Sequence, residues 1–164
     1  MAQKSLGRYF AIIKDKKLAK FKIAKAIPAE FSEKDTTEEL WRKHQNLTEE
    51  FYKTEREVDA GKKKLLEKDT PEKSYLDLKI EIANRILSNC HFCTRKCSVN
   101  RLEGQLGYCK CGTEITVSSI FKHIGEEPEL VPSGTIFAMG CTMRCKHCQN
   151  WTISQWIERG KIYG

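Results

Sequence analysis

The sequence predicts an α/β chain in three parts. Residues 1–89 form a charged, mainly helical region, residues 90–132 a cysteine-rich metal-binding segment, and residues 133–164 the start of a strand–loop–helix unit. Three observations predict this. Apolar residues before residue 89 recur at three- and four-residue steps, the signature of helices with one buried face. All eight cysteines come after residue 89, most of them two or three residues apart. A short apolar run bounded by glycines, Thr135 to Met139, leads directly into the last cysteine cluster.

Composition bounds the function classes. The chain has 164 residues, a net charge of +7, 40% apolar residues and a mean hydropathy of −0.55. That is one domain's worth of chain with a modest core. No run of about 18 apolar residues exists, which excludes a membrane-spanning helix. The basic stretch Met1 to Phe10 is followed by Lys14, Asp15, Lys16 and Lys17 rather than an apolar core, which argues against a secretion signal and for a cytoplasmic protein. The basic excess is spread along the chain. Its only runs, at residues 14–17 and 62–64, read as solvated surface rather than a nucleic-acid face.

The elements follow in order. Residues 9–23 read as a hairpin, with an amphipathic helix as the competing reading: Tyr9 to Ile13 is apolar, Asp15 and Lys16 can turn, and Phe21 and Ile23 alternate with Lys20 and Lys22. Pro28 stops that segment. A helix is expected over about 37–60. Thr36 and Glu39 have capping-box spacing, Leu40, His44, Leu47, Phe51 and Val58 form one stripe, and Gly61 sits where a C-terminal cap belongs. His44 on that stripe reads as a core-edge histidine. A second helix is expected over 71–87, with Thr70 as N-cap and Pro71 at the first position. Leu76, Ile80, Ala83 and Leu87 make its main stripe, and Leu78, Ile82 and Ile86 broaden it.

This second helix delivers the chain to Cys90, Cys93 and Cys97, followed by Cys109 and Cys111. Clustered cysteines in a chain without an export signal point to metal ligation rather than disulfides. Four thiols suffice for zinc or for an iron–sulfur cluster, and spacing does not choose between them. His91, Arg95 and Lys96 lie among these cysteines, and cationic neighbours favour thiolates. Glu126, Glu127 and Pro128 read as a surface turn without a catalytic role.

The last cluster is Cys141-x3-Cys145-x2-Cys148. The run before it reads as a buried strand. After it, Thr152 and Gln155 have capping-box spacing, and Ile153, Trp156 and Ile157 give a short helix ended by Gly160. The cysteines therefore fall on a strand-to-helix loop at the carboxyl end of a strand, where α/β folds bind ligands. A [4Fe–4S] cube normally takes four cysteines. Three local ones leave one iron open, the arrangement a catalytic metal needs. The alternative is a structural zinc site completed by His147 or a distant cysteine.

These residues carry a family resemblance. The C-x3-C-x2-C loop after a strand resembles that of the radical S-adenosylmethionine (radical SAM) enzymes. The wider pattern is similar to the branch related to pyruvate formate-lyase activating enzyme. It comprises Cys90, Cys93, Cys97, Asn100, Arg101, Gly104, Gly107 and Cys109, then His123 to Pro128, Ser133 to Phe137, and Gly140 to Asn150. It covers roughly residues 80 to 157; residues 1 to 70 match no motif. The resemblance implies that Cys141, Cys145 and Cys148 hold a [4Fe–4S] cluster. It implies that S-adenosylmethionine chelates the free iron and is reductively cleaved to methionine and a 5′-deoxyadenosyl radical, which in activating enzymes takes hydrogen from a glycine of a partner protein. His147 stands where the family usually has an aromatic residue near the adenine. Cys109 is the fourth cysteine of the first pattern, and Cys111 is extra.

A β/α barrel needs 200 residues or more, so the resemblance implies only the first βα unit of a partial barrel. The expectation is an incomplete radical SAM domain over 133–164, inactive alone, with a separate chain supplying the rest or a truncated product. The rival reading is a non-enzymatic zinc-binding adaptor module with a charged helical arm.

Overall fold

The computed structural model describes residues 6–65, 70–125, 128–131, 133–156 and 160–163. The chain divides into two compact units, Met1–Ala83 and Asn84–Gly164. The cysteine-rich segment and the strand–loop unit thus belong to one body.

The first unit is helical. It contains α1 (Gly7–Ile13), α2 (Lys20–Lys25), α3 (Thr37–Asp59) and the start of α4 (Tyr75–Ser88). The hairpin expected over 9–23 is not formed; α1 and α2 occupy that stretch. A strand would put Phe21 and Ile23 on one face, but Phe21 is 58% exposed and Ile23 fully buried. The residues that bury together are Ile23, Ala24 and Ile27, a helical step. Asp15 does mark a chain reversal, at φ 53°, but it follows the end of α1.

α3 begins at the expected capping box. The Glu39 amide donates to Thr36 Oγ1 at 3.2 Å, and the Thr36 amide donates to Glu39 Oε2 at 2.7 Å. Leu40, Phe51 and Thr54 form its buried stripe, and Gly61, in left-handed conformation, follows its end. Arg8 pairs with Glu55 and Asp59, and Lys17 with Asp59, at 3.0–3.1 Å, fastening the N-terminal residues to α3.

α4 starts four residues later than expected, and its cap is Ser74 rather than Thr70. The Ser74 amide donates to Asp77 Oδ2 at 2.8 Å, and the Asp77 amide donates to Ser74 Oγ at 3.3 Å. Residues around 73–75 are committed elsewhere. Ser74 pairs with Pro28 in an isolated β-bridge, flanked by hydrogen bonds from Ala29 N to Lys73 O and from Tyr75 N to Ile27 O. A helix cannot include backbone groups already paired across a bridge. The buried stripe of α4 is Tyr75, Leu78 and Ile82, while Ile80 of the expected main stripe is 51% exposed. His44 lies at the edge of this core, with Nε2 3.2 Å from Tyr75 Oη and 2.8 Å from Lys79 Nζ.

The second unit carries a three-stranded sheet in the order β2-β1-β3, formed by β1 (Ile115–His123), β2 (Ser133–Ala138) and β3 (Lys161–Tyr163). Both pairings are antiparallel, and the β1–β2 register shifts between Val117 and Ser119. β1 was not expected, although Ile115, Thr116, Val117 and Ile120 are the β-branched residues that favour a strand. β2 lies where a strand was expected, but it is not buried. Ile136 is 64% exposed and faces Ile120, itself 60% exposed, across the ladder. The apolar run predicts a buried strand, yet β2 lies at the edge of the described sheet with every second residue exposed.

The expected helix after the cysteine loop is a single π-helical turn, Thr152–Trp156. Gln155 does not close a capping box: its Nε2 donates to Cys145 O at 3.0 Å. At Gly160, expected to end that helix, a Cβ would lie 2.5 Å from Met139 Sδ and 2.6 Å from Thr116 Cγ2, so the chain passes close to both residues there. Ile157 of that expected helix, and Glu126 and Glu127 of the expected turn, lie outside the described residues; Pro128 opens a 3-10 turn, Pro128–Leu130. Among the described residues, no helix is long and apolar enough to cross a membrane.

Candidate metal centre

The first cysteine segment is a set of tight reversals. The Cys90 amide donates to Val99 O and the Ser98 amide to Cys90 O, both at 3.0 Å, and Lys96 and Ser98 take positive φ. Asn100 Oδ1 accepts from the Leu102 amide at 3.1 Å and starts a 3-10 turn, Arg101–Glu103. That turn sends the Arg101 side chain back among the sulfurs. Arg101 Nε donates to Cys90 Sγ at 3.0 Å, Nη2 to Cys109 Sγ at 3.4 Å and to Cys97 Sγ at 3.6 Å, and Nη1 to Cys111 O.

Arg101 is 5% exposed. A buried guanidinium is costly unless matched by negative charge. Here the matching groups are thiols, and the electrostatics are reciprocal. Burial opposes the charge on Arg101, but the Cys90 and Cys109 sulfurs outweigh it and raise its pKa. Burial also works against ionisation of Cys97 and Cys109. For Cys97, the Tyr108 and Val99 amides, the Cys90 thiol and Arg101 outweigh burial and hold the thiol below its ordinary value. For Cys109, the Cys111 amide and thiol and Arg101 do the same. Cys111 goes the other way: burial and the neighbouring Cys109 charge push it to about 11, and its thiol donates to Met139 O at 3.5 Å.

The second loop leaves β2 through Met139 and Gly140. Gly140 has φ +90°, and its amide donates to Ile153 O at 2.9 Å. A Cβ there would overlap Cys111 Sγ and lie 2.7 Å from Cys109 O, so only glycine lets the two cysteine segments meet at this point. Cys141 Sγ accepts from the Met143 amide at 3.3 Å. The Arg144 amide, then the Met143 amide, lower the Cys141 thiol from its ordinary value. Cys148 Sγ lies 3.4 Å from Ser154 Oγ, and the Cys148 amide donates to Cys145 O at 3.3 Å.

Three side chains bind the segments to each other. Arg144 Nη2 donates to Tyr108 O at 2.6 Å, and its guanidinium lies 4.3 Å from the Tyr108 ring centroid. Arg95 lies 4.0 Å from the same centroid, and its Nε donates to Thr142 O at 3.2 Å. Arg144 itself has φ 53°. A non-glycine residue in that region costs roughly 1–2 kcal/mol, which these contacts offset.

The structure therefore brings Cys90, Cys97 and Cys109 around one buried cation. Cys93, Cys141 and Cys148 are half-buried, and Cys145 and His147 are exposed. Among the described residues, no three or more Cys, His, Asp or Glu side chains stand in metal-holding geometry, and all eight cysteines are free thiols. The donor chemistry nevertheless fits a thiolate-ligated metal. Three sulfurs converge on a positive charge supplied by Arg101, and backbone amides already stabilise a thiolate at Cys141. The sequence does not mark Tyr108; Arg101 and Arg144 enter there only as members of the resemblance pattern, and Arg95 only as a cationic neighbour. No spacing rule marks an arginine that folds back onto cysteines four and eight residues away.

The chain is 44% identical over 150 residues to the Methanocaldococcus jannaschii protein "Uncharacterized protein MJ0674", a match covering 92% of this chain and 42% of that protein. A second protein of the same organism, "Uncharacterized protein MJ0808", is 33% identical over 82 residues, 40% of this chain and 24% of its own length. The chain thus spans well under half the length of the relatives it matches. No family model and no solved structure matches it.

Proposed function

We propose that this chain is the cluster-binding N-terminal portion of a radical SAM enzyme of the activating-enzyme type. The observation that carries this reading is the Cys141–Cys148 loop. It places three free thiols within eight residues directly after a strand, with the Met143 amide donating to the first sulfur. Cys141, Cys145 and Cys148 are the proposed ligands of a [4Fe–4S] cluster, and His147 is the proposed neighbour of the adenine. When bound, the cluster supplies an electron and an open iron site at which S-adenosylmethionine is cleaved to a carbon radical. The chain's own contribution is to favour the thiolate form of Cys141 through the Arg144 and Met143 amides and to hold the loop against the first cysteine segment. Cys90, Cys93, Cys97 and Cys109 are the proposed ligands of a second metal, zinc or iron–sulfur.

The proposed partners are S-adenosylmethionine and a polypeptide, either a protein substrate or a separate chain supplying the remaining barrel strands. The exposed Ile120 and Ile136 leave apolar surface on the sheet for further strands to cover, and the first relative the chain matches is more than twice as long as the matched region. Free thiols in such number suit a reducing compartment such as the cytoplasm. A second reading, a non-enzymatic zinc-binding adaptor, draws on the convergence of Cys90, Cys97 and Cys109 at one point.

Anaerobic reconstitution with iron and sulfide tests the reading. A brown protein is expected, and replacing Cys141, Cys145 and Cys148 by Ala should remove about four irons while leaving the first-segment metal. A triple variant that keeps all its iron, or a colourless protein with stoichiometric zinc alone, overturns the assignment.

A further inference from the structure

We propose that Tyr108 is a positioning residue for Cys141: its ring and carbonyl hold Arg95 and Arg144, and so fix the backbone amides that hydrogen-bond the Cys141 sulfur. The chain of contacts is continuous. Both guanidinium groups lie about 4 Å from the one ring centroid, at 4.0 and 4.3 Å. Each arginine also makes a directed bond on the loop or from it, Arg95 to Thr142 O and Arg144 to Tyr108 O. Between them these bonds secure Thr142 and Arg144, the residues on either side of Met143, whose amide reaches Cys141 Sγ at 3.3 Å. The left-handed backbone of Arg144 needs such outside support, because an isolated loop would relax it. A cation over an aromatic face is held by the ring's quadrupole and not by the hydroxyl, so phenylalanine should replace Tyr108 and leucine should not.

The consequence for a cluster on Cys141 rests on the function proposed above. N–H···S bonds stabilise the more negative, reduced cluster and raise its potential. Losing them makes the cluster harder to reduce. The first cysteine segment would then act on the second through Tyr108, without sharing a ligand.

The experiment has two readouts on the full chain, one independent of any cluster. Amide hydrogen exchange at Met143 and Arg144 should be roughly tenfold faster in Tyr108→Leu than in wild type, and unchanged in Tyr108→Phe. Exchange in β1 serves as the control for folding. Equal exchange in Tyr108→Leu and wild type overturns the proposal, as does a Tyr108→Phe variant that behaves like Tyr108→Leu. Should Tyr108→Leu lose protection in β1 as well, Arg144→Gln decides. Faster exchange at Met143 with β1 intact supports the proposal, and wild-type exchange overturns it. In reconstituted protein, Tyr108→Leu should shift the reduction potential of the Cys141 cluster downward and Tyr108→Phe should not. If wild type assembles no cluster there, the functional reading fails, and the exchange result still decides the role of Tyr108.

Discussion

The two units solve the same problem with different materials. The first buries Ile23, Ile27, Leu40, Phe51, Tyr75, Leu78 and Ile82, an apolar core of ordinary kind closed by capping boxes and ion pairs. Among its described residues the second buries few apolar side chains beyond Cys90, Val117 and Met139, and an arginine sits among its sulfurs. Apolar burial stabilises by about 25 cal/mol per Å² without regard to partner. Sulfurs around a buried cation stabilise only if the charges balance. The contrast teaches that burial of apolar side chains accounts for the first unit, whereas the second packs around polar sulfur contacts that, on the function proposed above, a metal would complete.

If the first cysteine segment holds a metal as proposed, removing it should separate the units most sharply. Structural metal sites contribute on the order of 10 kcal/mol to small domains. Chelation under reducing conditions should abolish exchange protection in β1 and β2 and leave that of α3 unchanged. Equal loss in both units, or none in either, would remove the distinction drawn here. The next effect in size is Leu40→Ala in the first core. It should cost about 2–5 kcal/mol in chemical denaturation, with metal content unaltered.

Arg101→Ala sharpens the comparison from the other side. It takes the matching cation from Cys90, Cys97 and Cys109. Loss of such an outer partner typically weakens metal affinity by roughly 10- to 100-fold, read by competition with a chromophoric chelator, and the melting of the first unit should stay put. The smallest effect belongs to His44, whose pKa is lowered by burial and then by Lys79. A histidine depressed in the folded state favours the neutral form, so its stabilisation is fully present above the unfolded value of about 6.5. It is lost as pH falls below that value toward the folded pKa. Denaturation at pH 7.5 and 5.5 should show the first unit weaker at the lower pH, and His44→Gln should flatten the difference.

How much of this was legible in the sequence also divides at the unit boundary. The Thr36–Glu39 capping box and the stripe through Leu40 and Phe51 are local patterns, and α3 follows them. The start of α4 was misread because Ser74 is paired with Pro28, 46 positions away, a commitment no local rule reveals. The hairpin reading of 9–23 failed for the same reason, since a strand-like alternation of two residues was overridden by packing of Ile23, Ala24 and Ile27. In the second unit the cysteines could be named as candidates from spacing alone. The pattern also grouped Cys90, Cys97 and Cys109; what it could not give is the arginine among them or the meeting of the two cysteine segments, which rest on Arg101, Tyr108 and Gly140.

The central claim is that the Cys141–Cys148 loop holds a cubane with one iron open to a small molecule. Electron paramagnetic resonance of the anaerobic, dithionite-reduced protein, recorded with and without S-adenosylmethionine, tests it most directly. The account predicts a reduced-cluster signal that changes on addition of S-adenosylmethionine and is missing when Cys141, Cys145 and Cys148 are replaced by Ala. A signal indifferent to S-adenosylmethionine, or one that survives the triple replacement, would contradict it.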